Sequence, residues 1–238
     1  MPAEGVQDRD WQTVIDGCWP AARVVRAGPW TIRVTHGAGG RVSAISGDAP
    51  DDLDRAIAAT RAEGQRPGFV VWPHQGALDA ALAARGYVVE DAVNLYAVAV
   101  AGAEPPPIAT AFPVWPPLQA MRDIWEAGGI GPARQAVMAR AADPTGLLAR
   151  CGDRAGGTAF VAAHGDAAML SAVEVLPPCR RRGLAGLLLR AGLVWAASRG
   201  CAVLGLVTTR DNAAANAAYA AHGMARLGGY HYRRAPRA

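Results

Sequence analysis

Apolar positions along the 238-residue chain switch between the two-residue period of a strand and the three-to-four-residue period of a helix. "PWTIRVTHGAGGRVSAISG" places apolar residues on both sides of a Gly-rich turn at 37 to 40, which predicts two strands. "DDLDRAIAATRAEG" predicts a helix with an Asp cap and Gly64 at its end. "PGFVVWP" then reads as a short strand, "GALDAALAARG" as a helix ending at Gly86, and "YVVEDAVNLYAVAVA" as one or two strands. Farther on, "PPLQAMRDIWEAGG" and "GPARQAVMARAAD" predict helices, the first closed by Gly128 and Gly129. "TGLLARCGDRAGGTAFVAAHGDAAMLSAVEVLP" reads as three strands separated by the turn signals "GDRAGG" and "HGD". From Gly183 to Ser198, Leu184, Leu187, Leu188, Ala191, Val194, Trp195 and Ser198 fall at helical spacing, so one face is expected to be buried. "CAVLGLVTT" is an unbroken apolar strand, "NAAANAAYAAHG" a helix with Gly223 beyond it, and "GGYHYRR" a last strand.

The pattern is α/β with a mixed sheet, broken once at Pro105, Pro106 and Pro107, which favour an extended connector. The expected organisation is a smaller α/β domain over 1–104, a Pro-rich linker over 105–112 and a larger domain over 113–238. With 51% hydrophobic and 18% charged residues the chain can bury a core throughout. The net charge of +4 favours anionic partners, but the 24 basic residues, all arginine, are interleaved with 20 acids and form no stripe. A nucleic-acid partner is therefore not indicated. The tail "RRAPRA" keeps a nucleic-acid-associated protein as the least favoured reading. Cys18, Cys151, Cys179 and Cys201 show neither C-x-x-C pairing nor a regular framework, so no metal site or disulfide scaffold is expected, and reduced thiols suit the cytoplasm. No export leader or membrane span is expected, since the apolar runs are broken by Arg190, glycine or proline.

One stretch points to chemistry. "LPPCRRRGLAGLLLRAG", residues 176–192, sets three arginines and a small-residue turn between a strand and an amphipathic helix. A helix starting there leaves its first N–H groups unpaired and its positive dipole end facing the turn, which makes an anion site. Each charge-assisted contact to a phosphate is worth on the order of 1.5–3 kcal/mol. Three arginines at a helix start are also, on their own, an ordinary solvated face. The spacing Pro-x-x-Arg-x-x-Gly-x-Ala, followed downstream by Asn212, Tyr219 and Gly223-Met224, resembles the acyl-CoA motif of the GNAT superfamily of N-acyltransferases over roughly residues 113–238. Met224 departs from the aromatic residue usual there.

The resemblance implies a GNAT-like fold and an enzyme that passes an acetyl group from acetyl-CoA to a primary amine. It implies that backbone groups of Val173 and Val175 hold the pantetheine arm and the acyl carbonyl. Arg180, Arg181, Arg182, Gly183, Leu184, Ala185 and Gly186 would receive the pyrophosphate, Asn212 would touch the cofactor arm, and Tyr219 would protonate the departing thiolate. Taken singly, Asn212 reads equally well as a helix cap and Tyr219 as a core tyrosine. Glu174 is the acid nearest the loop and the first candidate for a general base. Alternation turns it away from Val173 and Val175, and the position where family members often carry the base is held here by Met169. His164, His222 and His231 could carry protons but read more simply as structural. His231 should face away from Tyr230 and Tyr232, and His222 should suit the end of a helix. The acceptor, a small-molecule or peptide amine, has no motif; a homodimer is left open. A CoA-binding regulatory module without turnover is the alternative.

Residues 30–100 repeat the order strand, helix, strand, helix, strand, and "LDAALAARGYVVE" parallels "NAAYAAHGMARLG". Where the second copy has arginines, the first has "SGDAPDDLD", whose Asp48, Asp51 and Asp52 would repel a pyrophosphate. A degenerate GNAT-like copy without a CoA loop is the expectation for this segment.

Overall fold

The computed structural model describes Val6 and residues 9–236. Along the chain run α1 (Trp11–Cys18), β1 (Arg23–Ala27), β2 (Trp30–Val34), β3 (Ile45–Ser46), α2 (Leu53–Ala62), β4 (Gly68–Val71), α3 (Gly76–Ala84) and β5 (Val88–Ala99). Then come β6 (Ala111–Val114), α4 (Gln119–Ala127), α5 (Pro132–Met138), β7 (Asp143–Cys151), β8 (Arg154–His164), β9 (Ala167–Val175), α6 (Leu184–Ser198), β10 (Val203–Thr209), α7 (Ala213–Ala221) and β11 (Ala225–Arg234). Among the described residues no helix is long and apolar enough to cross a membrane.

Two compact units divide the chain, one of residues 1–20, 96–206 and 214–227, the other of 21–95, 207–213 and 228–238. The division differs from the expected cut, since 105–112 falls inside the larger unit. Two elements without an expectation account for this. α1 presents Trp11, Val14, Ile15 and Cys18 on one face, and Asp10 caps it by accepting from the N–H groups of Gln12 and Thr13. β6 begins one residue before the end of the expected linker and pairs with β7 from Ala111–Ala149 to Val114–Gly146.

In the larger unit the strand order is β5-β10-β9-β8-β7-β6, with β9 parallel to β10 and β6 to β9 mutually antiparallel. α6 covers one face. Leu184, Leu188, Ala191 and Trp195 are buried as expected, together with Leu189 and Ala196, whereas Leu187 and Val194 are half-buried and Ser198 is exposed. On the opposite side Trp11 of α1 lies so close to Gly205 that a Cβ there would come within 2.4 Å of the indole.

The smaller unit has the order β1-β2-β3-β4-β11-β5 and is also mixed, with β3 parallel to β4 and β11 antiparallel to it. Trp30, Ile32, Phe69, Leu78 and Leu82 form its dry core. Tyr230 and Tyr232 are buried, and His231 faces the other way as alternation requires, its Nε2 2.7 Å from Asp79 Oδ1. Arg233 grips the same carboxylate through Nε and Nη2 at 2.8 and 3.1 Å. That contact, helped by His231, holds the Asp79 carboxyl down at about 2. His231 is thus committed to a hydrogen bond with Asp79. His164 is structural as well, packed over Gly17 of α1 at the far end of β8.

Candidate active site

β9 breaks its regular pairing at one place. Thr158 faces Glu174 and Phe160 faces Ser171, so Ala172 and Val173 together oppose the single residue Ala159. Ala172 takes a left-handed φ of +52°, and its carbonyl leaves the ladder to accept from Trp125 Nε1 at 2.9 Å. A bulge of this kind bends the strand and re-aims the residues beyond it. The parallel pairing with β10 runs from Ala167–Val203 to Leu170–Leu206, whereas β9 continues to Val175. A Cβ on Gly157 of β8 would lie 3.1 Å from the Glu174 carbonyl, which therefore points toward β8. Alternation then turns the N–H and C=O groups of Val173 and Val175 to the opposite edge of β9. The Val175 carbonyl accepts there from Arg180 Nε at 3.1 Å. The side chains of Val173 and Val175 pack against the core under α6.

The loop after β9 turns at Pro177–Cys179, where the Cys179 N–H donates to the Leu176 carbonyl at 2.8 Å, and then enters α6. Arg181 is left-handed at φ +58° and Gly183, the helix cap, at +80°. For a residue with a side chain such a conformation costs on the order of 1–3 kcal/mol, and it collects at binding sites. Among the described residues no side chain caps α6 and nothing lies within 4 Å of where a Gly183 Cβ would be, and Arg180, Arg181, Arg182 and Gly183 are exposed. The N–H groups of Leu184, Ala185 and Gly186 belong to the first turn, which has no intrahelical acceptors for them. The loop thus offers an open, uncapped, positive helix end preceded by three exposed arginines.

At Gly186 the missing side chain makes room for His222, whose Nε2 lies 2.2 Å from where a Cβ would be. His222 sits at the end of α7, as expected, with Nδ1 2.8 Å from the Ala218 carbonyl. Of Gly183 and Gly186, Gly183 is the one with open space beside its backbone.

Glu174 points to the α4 side. Its carboxyl fills the space beside Gly128, where an added Cβ would sit 2.4 Å from Cδ and 2.6 Å from Oε2. Burial pushes this carboxyl above its ordinary range, partly offset by the Arg180 charge. Tyr219, on α7, is partly buried with its ring centroid 6.1 Å from that of Tyr96, whose hydroxyl donates to Asn216 Oδ1 at 2.9 Å. Burial first, and then the nearby Glu174 charge, push the Tyr219 phenol up to about 12. The structure therefore brings Glu174, Tyr219 and Arg180 into one electrostatic neighbourhood. Asn212 stands one residue before α7 in the stretch 207–213 of the smaller unit, its N–H donating to the Thr209 carbonyl at 3.2 Å.

Gly128 was not legible as a site residue, because a glycine at a helix end has an ordinary explanation. Its φ of −84° is one any residue adopts. A Gly128→Ala exchange at such a position normally stabilises a helix by about 1 kcal/mol. Here it is expected to lower stability by about 1–3 kcal/mol through overpacking and to lower turnover by displacing the Glu174 carboxyl. Thermal unfolding beside initial rates checks both signs; a more stable and fully active variant would free Glu174 of any dependence on this contact.

The model of the Acetyltransferase (GNAT) family matches residues 115–224, the stretch that carries β9, the arginine loop, α6 and α7. No curated protein sequence matches the chain significantly. Among solved structures, a GCN5-related N-acetyltransferase from Kribbella flavida superposes with a TM-score of 0.76 at 19% identity, covering 99% of this chain and 98% of its own. A conserved protein of unknown function from Staphylococcus epidermidis gives 0.67 at 11% identity over 91% and 94%. A tandem GNAT protein from the clavulanic acid biosynthesis pathway gives 0.55 at 18% identity over 79% and 71%. At such identities the likeness is one of fold.

Proposed function

We propose that the chain is an N-acyltransferase moving an acetyl group from acetyl-CoA to a primary amine, a reading supported by the match of residues 115–224 to the model of the acetyltransferase (GNAT) family. The observation that carries this reading is the open end of α6 at Gly183 with Arg180, Arg181 and Arg182 exposed around it. A pyrophosphate fits there, because unpaired N–H groups, the helix dipole and guanidinium forks all favour a phosphate oxygen. The edge of β9 at Val173 and Val175 offers backbone groups for the pantetheine arm. Acetyl-CoA supplies an acyl thioester open to attack at its carbonyl carbon.

An amine with a pKa near 10.4 is almost wholly protonated at neutral pH and cannot attack until it loses a proton. Glu174 takes that proton, directly or through a water, and burial makes it a stronger base than a solvated carboxylate. The Arg180 charge works against that rise. Tyr219 donates a hydrogen bond to the departing sulfur. A phenol near 12 stays protonated through the physiological range, and it yields its proton fully only to a sulfur whose basicity is itself raised by burial. The acceptor is a small-molecule or peptide amine.

Residues 30–100 are, on this reading, a copy of the same plan without an anion loop. α2 enters from a turn at Pro50–Asp52, with Asp51 and Asp52 in place of arginines and Asp54 in its first turn. The tandem GNAT protein above is in keeping with this.

Calorimetric titration with acetyl-CoA and initial rates on an amine panel test the proposal. Micromolar binding with turnover supports it, binding without turnover leaves a CoA-responsive regulatory module, and no binding overturns it. The pH profile tests Glu174. A base must be ionised, so kcat/KM is expected to rise with pH through a midpoint above the ordinary carboxyl value of 4.5. In Glu174→Gln that rise is expected to vanish, with kcat down roughly 10²–10⁴-fold. An unchanged profile assigns the base elsewhere.

A further inference from the structure

Beside the arginine loop lies a pair of thiols that the proposed reaction does not use. Cys179 ends the turn that leads into Arg180, and Cys151 ends β7. The two are 28 residues apart in sequence, and they meet over Gly156 of β8. A Cβ on Gly156 would lie 2.3 Å from Cys151 Cβ and 3.0 Å from Cys179 Sγ, so the absent side chain lets the sulfurs come together. The thiols are hydrogen-bonded to each other. Arg182 Nη1 donates to Cys151 Sγ at 3.7 Å, which ties a loop guanidinium to the pair. Cys151 is partly exposed, whereas Cys179 is buried with 9% of its surface accessible.

We propose that Cys151 and Cys179 form a reversible dithiol–disulfide site through which a low-molecular-weight disulfide controls the anion socket. Cys151 attacks first, being the more accessible sulfur and the one that Arg182 Nη1 contacts. Its thiolate displaces one thiolate from the small disulfide and forms a mixed disulfide. Cys179 then attacks the Cys151 sulfur, closes the Sγ–Sγ bond and expels the second thiolate. The two protein protons pass to the two released thiols, and the dithiol's two electrons reduce the small disulfide. Cys179 suits the second step, because its hydrogen bond with Cys151 pushes its thiol above the ordinary range and keeps it protonated until the mixed disulfide is in place.

Closing the bond draws the sulfurs from hydrogen-bond contact to about 2.05 Å. This pulls on the residue before Arg180, pins the turn to the end of β7 and takes from Arg182 the thiol it donates to. The effect on acetyl-CoA rests on the pyrophosphate reading of the loop, and the bridge itself does not. Cys18 and Cys201 are buried elsewhere and serve as internal controls.

The full chain is incubated with oxidised glutathione, alkylated, digested without reductant and mapped by mass, with acetyl-CoA affinity measured by calorimetry before oxidation, after it and after dithiothreitol. The expected map joins Cys151 to Cys179 and leaves Cys18 and Cys201 unbridged. Affinity is expected to fall tenfold or more and to recover on reduction, while Cys151→Ser binds alike under both conditions. Alkylation of both cysteines, arrest at the glutathione adduct, or a bridge that leaves affinity within twofold overturns the proposal. If the reduced protein does not bind acetyl-CoA, the socket reading fails on that titration alone, and the site stands or falls on the peptide map and its reversal.

Discussion

Replacing Gly183 by glutamate is expected to abolish acetyl-CoA binding while leaving the fold intact. Three quantities set the size of the effect. A side chain at φ +80° carries about 1–2 kcal/mol of backbone strain, small enough for the folded state to absorb. Nothing within 4 Å meets the new Cβ, so no packing is lost. The added carboxylate, however, occupies the open space at Gly183 beside the first turn of α6 and displaces the charge-assisted phosphate contacts, each worth about 1.5–3 kcal/mol. Loss of two such contacts, about 3–6 kcal/mol together, is comparable to the ~4.1 kcal/mol that separates a micromolar from a millimolar dissociation constant. Gly183→Ala carries the strain without the charge and should retain most of the affinity. Calorimetry on both variants, with circular dichroism to confirm folding, decides the matter. A glutamate variant that binds within tenfold of the native protein would place the phosphates elsewhere.

Tyr219→Phe is expected to separate turnover from binding. The ring keeps its contact with Tyr96, and only a partly buried hydroxyl is lost, so acetyl-CoA affinity should stay within twofold. If the hydroxyl meets the departing sulfur, kcat falls by roughly 10²–10⁴, the usual contribution of a positioned proton donor. Because burial pushes the phenol up to about 12, the wild-type rate should show no loss of activity from its ionisation through the physiological pH range. Single-turnover rates beside equilibrium titration measure both halves. A large affinity loss with normal kcat would make Tyr219 part of the cofactor wall and would leave the sulfur without this donor.

Local patterns were enough for α2 to α7, because each carries a periodic apolar face or a glycine at its end. They were enough for the anion loop as well, since a strand, a small-residue turn and a helix in series dictate which N–H groups stay unpaired. Long-range meetings were not legible. Gly186 and Gly183 look alike in "RRRGLAG", yet one is filled by a histidine 36 residues downstream and the other is open. Nothing in the spacing of Cys151 and Cys179 foretells that they share Gly156. The position of Glu174 was half legible. Alternation set it opposite Val173 and Val175, but which helix it would meet depended on α4 closing over β9. α1 escaped notice because eight residues with one apolar stripe are too short to stand out, and its stability comes from packing on β8 and β9.

That first helix is synthesised early and settled late. The Cys18 thiol donates to the carbonyl of Ala162, 144 residues downstream. At ribosomal speeds of about 5–20 residues per second, roughly 7–29 s pass before that partner even exists. Throughout this interval the nascent chain carries Trp11, Val14, Ile15 and Cys18 with no surface to cover them. Such a stripe is what a ribosome-associated chaperone grips, so yield in a heterologous host should depend on chaperone supply and on the pace of translation.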